Sequence, residues 1–373
     1  MNYRERYLET ARFGRPDRTF LMDQWFWKET ERRWWGEGLP RDVHAHKYFG
    51  FDRREYIPLN LGLLPAFDVK VLEADRYSRV VVGPDGAKKR EFHEKPELSM
   101  PQWLEYPVRD RSSWEEYKKR LNPGSPGRYP AWWDDYVRCV RDRDYPLGIA
   151  AGSFYGWIRN WMGVENLSVA LYDDPSFVRD MAEYIADFVC GTIHRALDET
   201  QFDFAAIWED MAMKTGPLIS PRQFRELMLP ACRRVVKLLR SHGVDIILVD
   251  SDGNVDQLIP LWLEVGVTGV YPLEVAAGED AVRLRREYGR DLMLVGNIDK
   301  RALATSKQAI EAEVLSKVPW LVMQGGYFPW VDHGVPPDVP YENFLNYLEL
   351  LMSVLAEPER HYHTARQKGL VLE

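Results

Sequence analysis

Short apolar runs alternate with longer amphipathic segments through the second half of the chain. Four of the apolar runs lie at 202–208, 246–249, 267–272 and 292–295. They are too short for buried helices and are bounded by turn-forming residues, so we expect them to be buried strands. The amphipathic segments lie at 220–242, 255–265, 279–288 and 300–318. Because such alternation favours parallel strands joined by right-handed helical crossovers, it predicts either a closed (β/α)8 barrel or an open doubly wound sheet.

Further elements are predicted before and after this repeat. A surface β-hairpin is expected at 69–92, with its turn at Gly83–Gly86. A strand at 147–152 should begin the repeating part, and a strand at 320–323 should precede a loop at 324–337. Helices are expected at 18–36, 113–121, 164–198 and 341–355, followed by a charged tail that is frayed or packed outside.

Two of these helix predictions depend on particular residues. The first segment carries Trp25, Trp27, Trp34 and Trp35 among charged residues, so its aromatic face either packs on the core or forms a rim over a ligand pocket. The segment at 164–198 should break where Asp174 can cap a helix that begins at Pro175.

The length of 373 residues suits one (β/α)8 TIM barrel with an N-terminal elaboration. We expect a single domain over 1–373. Within it, a helical and β-hairpin elaboration should occupy 1–145 and the core barrel repeats 146–356.

Charge and cysteine content exclude several classes of protein. The net charge is -8 and the pI is about 5.6, so we expect no nucleic-acid partner, which would require clustered Lys and Arg. The widely spaced Cys139, Cys190 and Cys232 are interpreted as small buried residues in a reducing cytoplasm, and not as zinc ligands. A charged N-terminus and the lack of an apolar run of membrane length predict a cytoplasmic protein without a membrane partner.

Acidic and amide residues follow the predicted strands. Asp250 and Asp252 end the strand at 246–249, while Glu209 and Asp210, Glu274, and Asn297 follow its neighbours. Ligands bind at the carboxyl ends of parallel strands, so these side chains are candidates for a common site. Each acid could instead cap a loop or hydrogen-bond backbone amides, as Asp does at many turns.

Other candidates lie in loops. Asp332 and His333 suit acid–base work, because histidine titrates near neutral pH and a neighbouring carboxylate can tune it; a loop ion pair is the alternative. Tyr155 could donate a hydrogen bond to a substrate or be a packed aromatic residue. Lys214 could bind substrate or neutralise the nearby acids. His44 and His46 would share one face of a strand and could serve a metal, but a loop would give that spacing little meaning.

Four blocks of the sequence together resemble the uroporphyrinogen decarboxylase family, which includes cobalamin-dependent methyltransferases. The blocks are 214–226, 244–254, 296–302 and 327–343. The resemblance covers most of 145–355 and implies a (β/α)8 barrel, an enzymatic activity and often a homodimer.

The sequence departs from both chemistries of that family. An Arg-rich segment that grips the substrate carboxylates of the decarboxylases is not found before residue 100, where Arg12, Arg15 and Arg18 have a different context. In the methyltransferase branch zinc is held by a His-x-Cys pair and a later Cys. The matching positions here are Asp250-Ser-Asp252 and the neighbourhood of Asp332-His333, so oxygen ligands and one imidazole replace thiolates.

We therefore expect metal-assisted methyl transfer between a small methylated substrate and a corrinoid, which a corrinoid protein could carry. Zinc, manganese or magnesium would be held by Asp250, Asp252, Glu209 and His333, and no nucleotide cofactor is expected. His333, Asp332, Asp252 and Tyr155 would be catalytic. Glu209, Asp210, Lys214, Asn297 and Glu274 would bind substrate. The alternatives are a porphyrinogen carboxy-lyase of tetrapyrrole biosynthesis and a non-catalytic corrinoid or tetrapyrrole carrier.

Overall fold

The computed structural model describes residues 1–92 and 100–371. Residues 93–99 and 372–373, which fall within the predicted limits of 1–373, lie outside the described part. The strands are β1 Glu55–Tyr56, β2 Lys70–Ala74, β3 Ser78–Val82, β4 Lys88–Phe92, β5 Gln102–Glu105, β6 Leu147–Ala150, β7 Phe204–Trp208, β8 Ala212–Met213, β9 Gly216–Pro217, β10 Ile247–Asp250, β11 Gly269–Tyr271, β12 Met293–Ile298 and β13 Tyr327–Val331.

Helices flank and connect these strands. They are α1 Tyr3–Ala11, α2 Lys28–Glu37, α3 Ala45–Tyr48, α4 Arg111–Lys118, α5 Trp133–Val140, α6 Gly156–Met162, α7 Val164–Asp173, α8 Pro175–Glu199, α9 Pro221–Leu227, α10 Leu229–Ser241, α11 Ile259–Val265, α12 Ala281–Tyr288, α13 Lys300–Thr305, α14 Lys307–Gln324, α15 Tyr341–Ala356 and α16 Pro358–Gln367. In the two described ranges, no helix combines the length and the apolar character that crossing a lipid bilayer requires.

The main sheet has seven parallel strands in the order β1, β6, β7, β10, β11, β12, β13. Successive strands of the predicted repeat are therefore neighbours, joined by helices, as the alternation predicted. Apolar residues on the outer face of the sheet pack against the helices in one large core.

The sheet is strongly curled, as the ring contacts of Tyr7 show. The ring of Tyr7 in α1 lies 5.2 Å from the ring of Phe204 in β7 and 5.1 Å from that of Phe328 in β13. Four strand spacings separate β7 from β13, which is roughly 19 Å in a flat sheet. Both strands can reach one ring only because the sheet wraps around it. Tyr7 thus fills the interior at the amino ends of the strands, and this smaller core includes Phe20, Leu248 and Met293.

A closed eight-stranded barrel is not found, which corrects the prediction in part. The described sheet ends at β1 and β13, and the segment 20–27 lies between these edges. Its contacts are mostly not those of a strand: the Leu21 amide donates to the Asp52 carboxylate at 2.8 Å, and the Val331 amide donates to the Gln24 side chain at 3.1 Å. Side chains bond several backbone groups that an eighth strand would have paired, and the backbone bonds of this segment include that from the Asp52 amide to Leu21 and those at the isolated bridge between Phe26 and Val335.

Two predicted elements were assigned the wrong structure. The strand predicted at 320–323 is the end of α14, and the last strand of the sheet, β13, lies in the predicted loop at 324–337. A short apolar run fits a buried helix as well as a strand, and Leu321 packs in the outer core in either case. The helix ends at Gly325 and Gly326, whose positive φ angles of 76° and 59° allow the chain to turn into β13.

The N-terminal part differs from its prediction in three respects. The segment at 18–36 is helical only in α2. The hairpin expected at 69–92 is present as β3 and β4 with its turn at 83–86. Its first arm, expected at 69–82, is divided into β2 and β3, and the hairpin belongs to a four-stranded antiparallel sheet, β2 to β5. The strand β1 pairs with β6, so the predicted elaboration supplies a strand to the main sheet.

Several local predictions are confirmed. Asp174 caps α8 by accepting from the Phe177 amide, with Pro175 at the first helical position. The helix expected at 113–121 is α4. The charged tail, expected to be frayed or packed outside, packs against α14 and α15 as the helix α16. Of the cysteines, Cys232 is buried and Cys190 half-buried, but Cys139 is exposed, contrary to the prediction.

Candidate functional site

Strand periodicity directs Asp250 towards the interior of the curled sheet. Ile246 and Leu248 lie in the interior core, and side chains two residues apart on a strand face the same side. Asp250 therefore lies above Leu248 at the carboxyl end of β10. We call this end of the sheet interior the mouth, defined by Asp250, Asp252 and His333.

The Asp250 carboxyl lacks a compensating charge. In residues 1–92 and 100–371 no hydrogen bond or ion pair to its side chain is found. Burial raises the pKa of Asp250 to about 8, with a further contribution from the negative charges of Asp252 and Asp210. His333 acts in the opposite direction. At neutral pH this group is therefore largely a neutral carboxylic acid that can donate a proton.

His333 and Asp252 form a pair next to Asp250. The Nε2 atom of His333 lies 3.3 Å from a carboxylate oxygen of Asp252. This hydrogen bond raises the pKa of His333 above its ordinary value, although burial acts in the opposite direction. The rings of Trp25 and Trp27 lie 5.5 and 6.3 Å from the imidazole, so the predicted aromatic segment forms one wall of the mouth.

A second group in the sheet interior was missed by the sequence analysis. The Arg54 guanidinium pairs with Asp23 at 2.9 Å and lies 5.7 Å from the ring centres of both Tyr56 and Phe204. Burial raises the pKa of Tyr56 and of Tyr271, which share a hydrogen bond. The negative charge of Asp250 also raises the pKa of both tyrosines, which places them in its electrostatic environment. Arg54 and Tyr56 lie at a strand of only two residues. Such a strand is too short to show a periodic pattern of apolar and polar residues, so the sequence carries no signal for these two side chains.

Asp210 lies near Asp250, whose pKa its negative charge raises, and Lys214 follows four residues later in the chain. Asp210 adopts a positive φ of 41° and pairs with Arg159 of α6 at 2.8 Å. Arg159, which the sequence analysis did not select, also lies over the ring of Trp208 at 5.5 Å. Lys214 is exposed in the turn between β8 and β9.

Glu209 is fully buried beneath the mouth and holds a loop. Its carboxylate accepts hydrogen bonds from the backbone amides of Phe154, Tyr155 and Gly156, the shortest being 2.7 Å to Tyr155. Burial raises the pKa of Glu209 to about 7, while these amides act in the opposite direction. The carboxylate thus orients the turn from β6 into α6, which makes Glu209 a positioning residue for that loop.

Tyr155 and Asn297 are also enclosed. Tyr155 is fully buried and its hydroxyl has no hydrogen-bond partner within the described ranges, while burial raises its pKa to about 12. Asn297, with a positive φ of 64°, donates to the carbonyls of Leu273 and Glu279 and accepts from the Ala281 amide. These contacts connect the loops after β11 and β12, so Asn297 positions the backbone.

Asp332 and Glu274 share one lysine. Lys300 Nζ lies 3.1 Å from Glu274 and 3.4 Å from Asp332, which is fully buried and also accepts from the amides of Val275 and Lys300. Glu274 accepts from the Gly253 amide at 3.0 Å. Since Gly253 is next to Asp252, this triad fixes the loop that carries the Asp252–His333 pair.

In the arrangement described, the predicted metal ligands other than Asp250 are engaged with partners in the protein. In residues 1–92 and 100–371, the one group of at least three His, Cys, Asp or Glu residues whose ligand atoms all lie within 4.8 Å is His194, Asp198 and His242, far from the mouth in sequence. The predicted ligand set is divided: Glu209 holds backbone amides, and Asp252 holds His333. His46 lies 3.8 Å from Asp23, and burial lowers its pKa.

The sequence was compared with models of known protein families. The sequence model of the uroporphyrinogen decarboxylase (URO-D) family matches residues 103–353, about two thirds of the chain. The chain belongs to this family. The resemblance stated from four sequence blocks is thereby confirmed.

Individual relatives are more distant. Uroporphyrinogen decarboxylase of Legionella pneumophila (strain Lens) is 28% identical over 149 residues, 40% of each chain. That of Chlorobium phaeovibrioides is 23% identical over 224 residues, 57% of this chain and 59% of the relative. The matches thus span about two to three fifths of these curated relatives. A methyltransferase from Methanosarcina mazei has the same fold, with a TM-score of 0.59 and 13% identity over 95% of this chain and 99% of that one.

Proposed function

We propose that this chain is an enzyme that removes a methyl group from an oxygen or nitrogen atom of a small substrate, with Asp250 as the general acid and a corrinoid as the methyl acceptor. The observation that carries the proposal is the single uncompensated carboxyl of Asp250 at the mouth, whose pKa is raised to about 8. A general acid works best when its pKa lies near the operating pH, and this group satisfies that condition.

The proposed methyl transfer consumes one proton, which Asp250 supplies. As the methyl group leaves without the bonding electron pair, that pair remains on the substrate oxygen or nitrogen, which takes the proton of Asp250. When bound, a reduced corrinoid supplies the nucleophile that accepts the methyl group. Asp250 is then left as a carboxylate, and the nearby His333–Asp252 pair is placed to return a proton. The proton transfer proposed here uses Asp250 itself, whereas the sequence led us to expect a metal-assisted reaction.

The walls of the mouth suit a small aromatic or apolar substrate. Trp25 is half exposed and its ring centre lies 5.3 Å from that of Trp27, with the ring planes inclined at 36°, which gives an apolar surface beside His333. The Trp330 ring lies 6.3 Å from that of Tyr271, and its Nε1 donates to the carbonyl of Asp23 at 2.8 Å, which adds a second pair of aromatic rings beside the segment 20–27. Flat rings bind flat substrates through large contact areas with little entropy loss.

Decarboxylation of a carboxylated substrate is the second candidate. It is favoured by the names of the curated relatives and by Arg54, a cation inside the sheet interior beside Tyr56 that could attract a carboxylate. Asp250 would then protonate the carbon atom that loses CO2. The cation is already paired with Asp23 at 2.9 Å, which makes this candidate the weaker of the two.

The test is a substrate screen with two acceptor conditions. Purified chain is incubated with methyl ethers or methylated amines, with and without cob(I)alamin, and in parallel with uroporphyrinogen. We expect demethylated product only with cob(I)alamin. The rate should fall by about 100- to 10,000-fold in Asp250→Asn, since this is the typical contribution of a general acid.

Asp245→Asn is the matched control. Asp245 lies just before the same strand at its opposite end and is exposed, paired with Arg12. Its substitution should leave the rate unchanged. Release of CO2 from uroporphyrinogen without any demethylation would favour the second candidate, and full activity of Asp250→Asn would contradict the role of this residue in both.

A further inference from the structure

A cluster of two histidines and one aspartate lies outside the mouth, where α8 and α10 end. His194 and Asp198 are one turn apart on α8, and His242 caps the end of α10. One ligand atom from each residue lies within 4.8 Å of the other two. The spacing of four residues puts His194 and Asp198 on one face of the helix, as in helical metal motifs.

The hydrogen bonds of His242 fix which nitrogen faces the cluster. Its Nδ1 lies 2.9 Å from the carbonyl oxygen of Leu238, an acceptor, so Nδ1 carries the proton and donates. In the neutral ring the other nitrogen, Nε2, then presents a lone pair. That lone pair points at a carboxylate oxygen of Asp198, 3.2 Å away. Two acceptors therefore face each other, which requires a cation between them, either a proton or a metal ion.

The second histidine contacts the other carboxylate oxygen of Asp198. His194 Nδ1 lies 3.0 Å from Asp198, and the two imidazole centres are 5.6 Å apart. In the described part of the chain, the ion-pair partners of Asp198 are these two histidines. The neighbouring Arg195 is directed instead to Glu199 and Asp134. When both imidazole rings are neutral, the cluster carries one negative charge. One ligand atom of each of the three residues then points into the cluster.

We propose that His194, Asp198 and His242 bind a divalent transition metal ion, with zinc, cobalt and nickel as the fitting class. Imidazole and carboxylate ligands suit these ions, and an orienting hydrogen bond from the distal ring nitrogen to a backbone carbonyl is typical of metal-binding histidines. The open side of the exposed cluster leaves positions for water. The bound ion would join α8 to α10, which are also linked through Arg234, Glu183 and Asp187.

The experiment measures binding of the metal alone to the full chain. After chelator treatment and buffer exchange, the protein is titrated with Co2+ and with Zn2+, using the visible absorption of Co2+ and calorimetry. We expect one ion per chain at this site. His242→Ala and His194→Ala should each weaken binding at least about tenfold. Metal should raise the melting temperature of the wild type but not of either variant.

His363→Ala is the matched control, because His363 is an exposed histidine on α16, far from the cluster in sequence. It should bind the ion as the wild type does. Circular dichroism establishes that each variant is folded before it is titrated. The proposal is overturned if the wild type binds neither ion, or if binding in both folded cluster variants equals that of the wild type.

Discussion

Two aspartates at neighbouring strands have opposite surroundings. Asp203 immediately precedes β7, at the amino end of the sheet, and its carboxylate is paired with Arg143 at 2.7 Å and Arg4 at 2.8 Å and accepts from the Leu147 amide. Asp250 ends β10 and has no such partner among the described residues. A buried charge is tolerated when it is paired, so Asp203 serves stability. The uncompensated Asp250 is held near its neutral form and is suited to proton transfer.

The comparison extends to the two ends of the sheet interior. The amino end is filled by Tyr7, Phe20 and Phe328, whose rings contact one another at 5.1 to 6.3 Å. The carboxyl end carries acids, His333 and half-exposed aromatic rings instead. The residues that stabilise the sheet interior thus lie at its amino end, and the carboxyl end is available for ligand binding. This is the usual division in barrels of parallel strands.

The largest expected effect comes from Asp203→Ala. This change leaves the Arg143 guanidinium buried without its carboxylate, so we expect a loss of about 3–5 kcal/mol in the free energy of unfolding. Denaturant unfolding followed by circular dichroism measures it. Asp245→Ala, which removes an exposed pair with Arg12, should cost no more than about 1 kcal/mol. Equal losses in the two variants would remove the distinction between the two kinds of aspartate.

Tyr7→Ala should have the next largest effect. It empties the space between Phe204 and Phe328 in the sheet interior, and large-to-small changes of buried aromatic residues cost about 3 kcal/mol or more. Thermal and denaturant unfolding provide the measurement. Tyr3→Ala on the same helix is the control, because Tyr3 is exposed. A small effect of Tyr7→Ala would mean that α1 does not stabilise the curl.

Asp250→Asn should change how stability depends on pH. The pKa of Asp250 is raised to about 8 in the folded chain, above its value near 4 in the unfolded chain. The folded state therefore holds a proton that the unfolded state has lost, and wild-type stability falls as pH rises between these values. Asp250→Asn has no titrating group at this position, so its stability does not fall in this way. The free energy of unfolding of the variant relative to the wild type should therefore increase by up to about 1.4 kcal/mol per pH unit from pH 5 to 8.

Denaturant unfolding at pH 5, 6, 7 and 8 measures that advantage, with Asp245→Asn as the control that should show no such trend. A constant difference between Asp250→Asn and the wild type over this range would show that the carboxyl is already ionised at pH 5.

The smallest expected effect concerns His333. Its pKa is raised chiefly by the hydrogen bond to Asp252, so Asp252→Asn should lower the pH at which the imidazole titrates. Nuclear magnetic resonance of the ring protons follows this titration directly. Because a raised pKa favours the protonated ring in the folded chain, its contribution to stability is present at low pH and lost as pH rises through that pKa. An unchanged titration would show that the pair at 3.3 Å does not tune the histidine.

The alternation of strands and helices, the cap at Asp174, and the position of acids after β7, β10 and β11 followed from local patterns. These features depend on residues close together in the chain, so the sequence alone contains the information. Local patterns did not distinguish the end of α14 from a strand, because a short apolar run suits both.

The tertiary structure decided how many strands the sheet has and which acids remain unpaired. Asp203 is neutralised by Arg4 and Arg143, which are 199 and 60 residues away, and the segment 20–27 closes the gap beside β13 through side chains. Glu209 was selected as a ligand from its place after a strand, and folding brings its carboxylate to amides 53 to 55 residues earlier. Whether a charged side chain stabilises the fold or takes part in a reaction depends on the residues that folding brings close to it. No local pattern in the sequence specifies those residues.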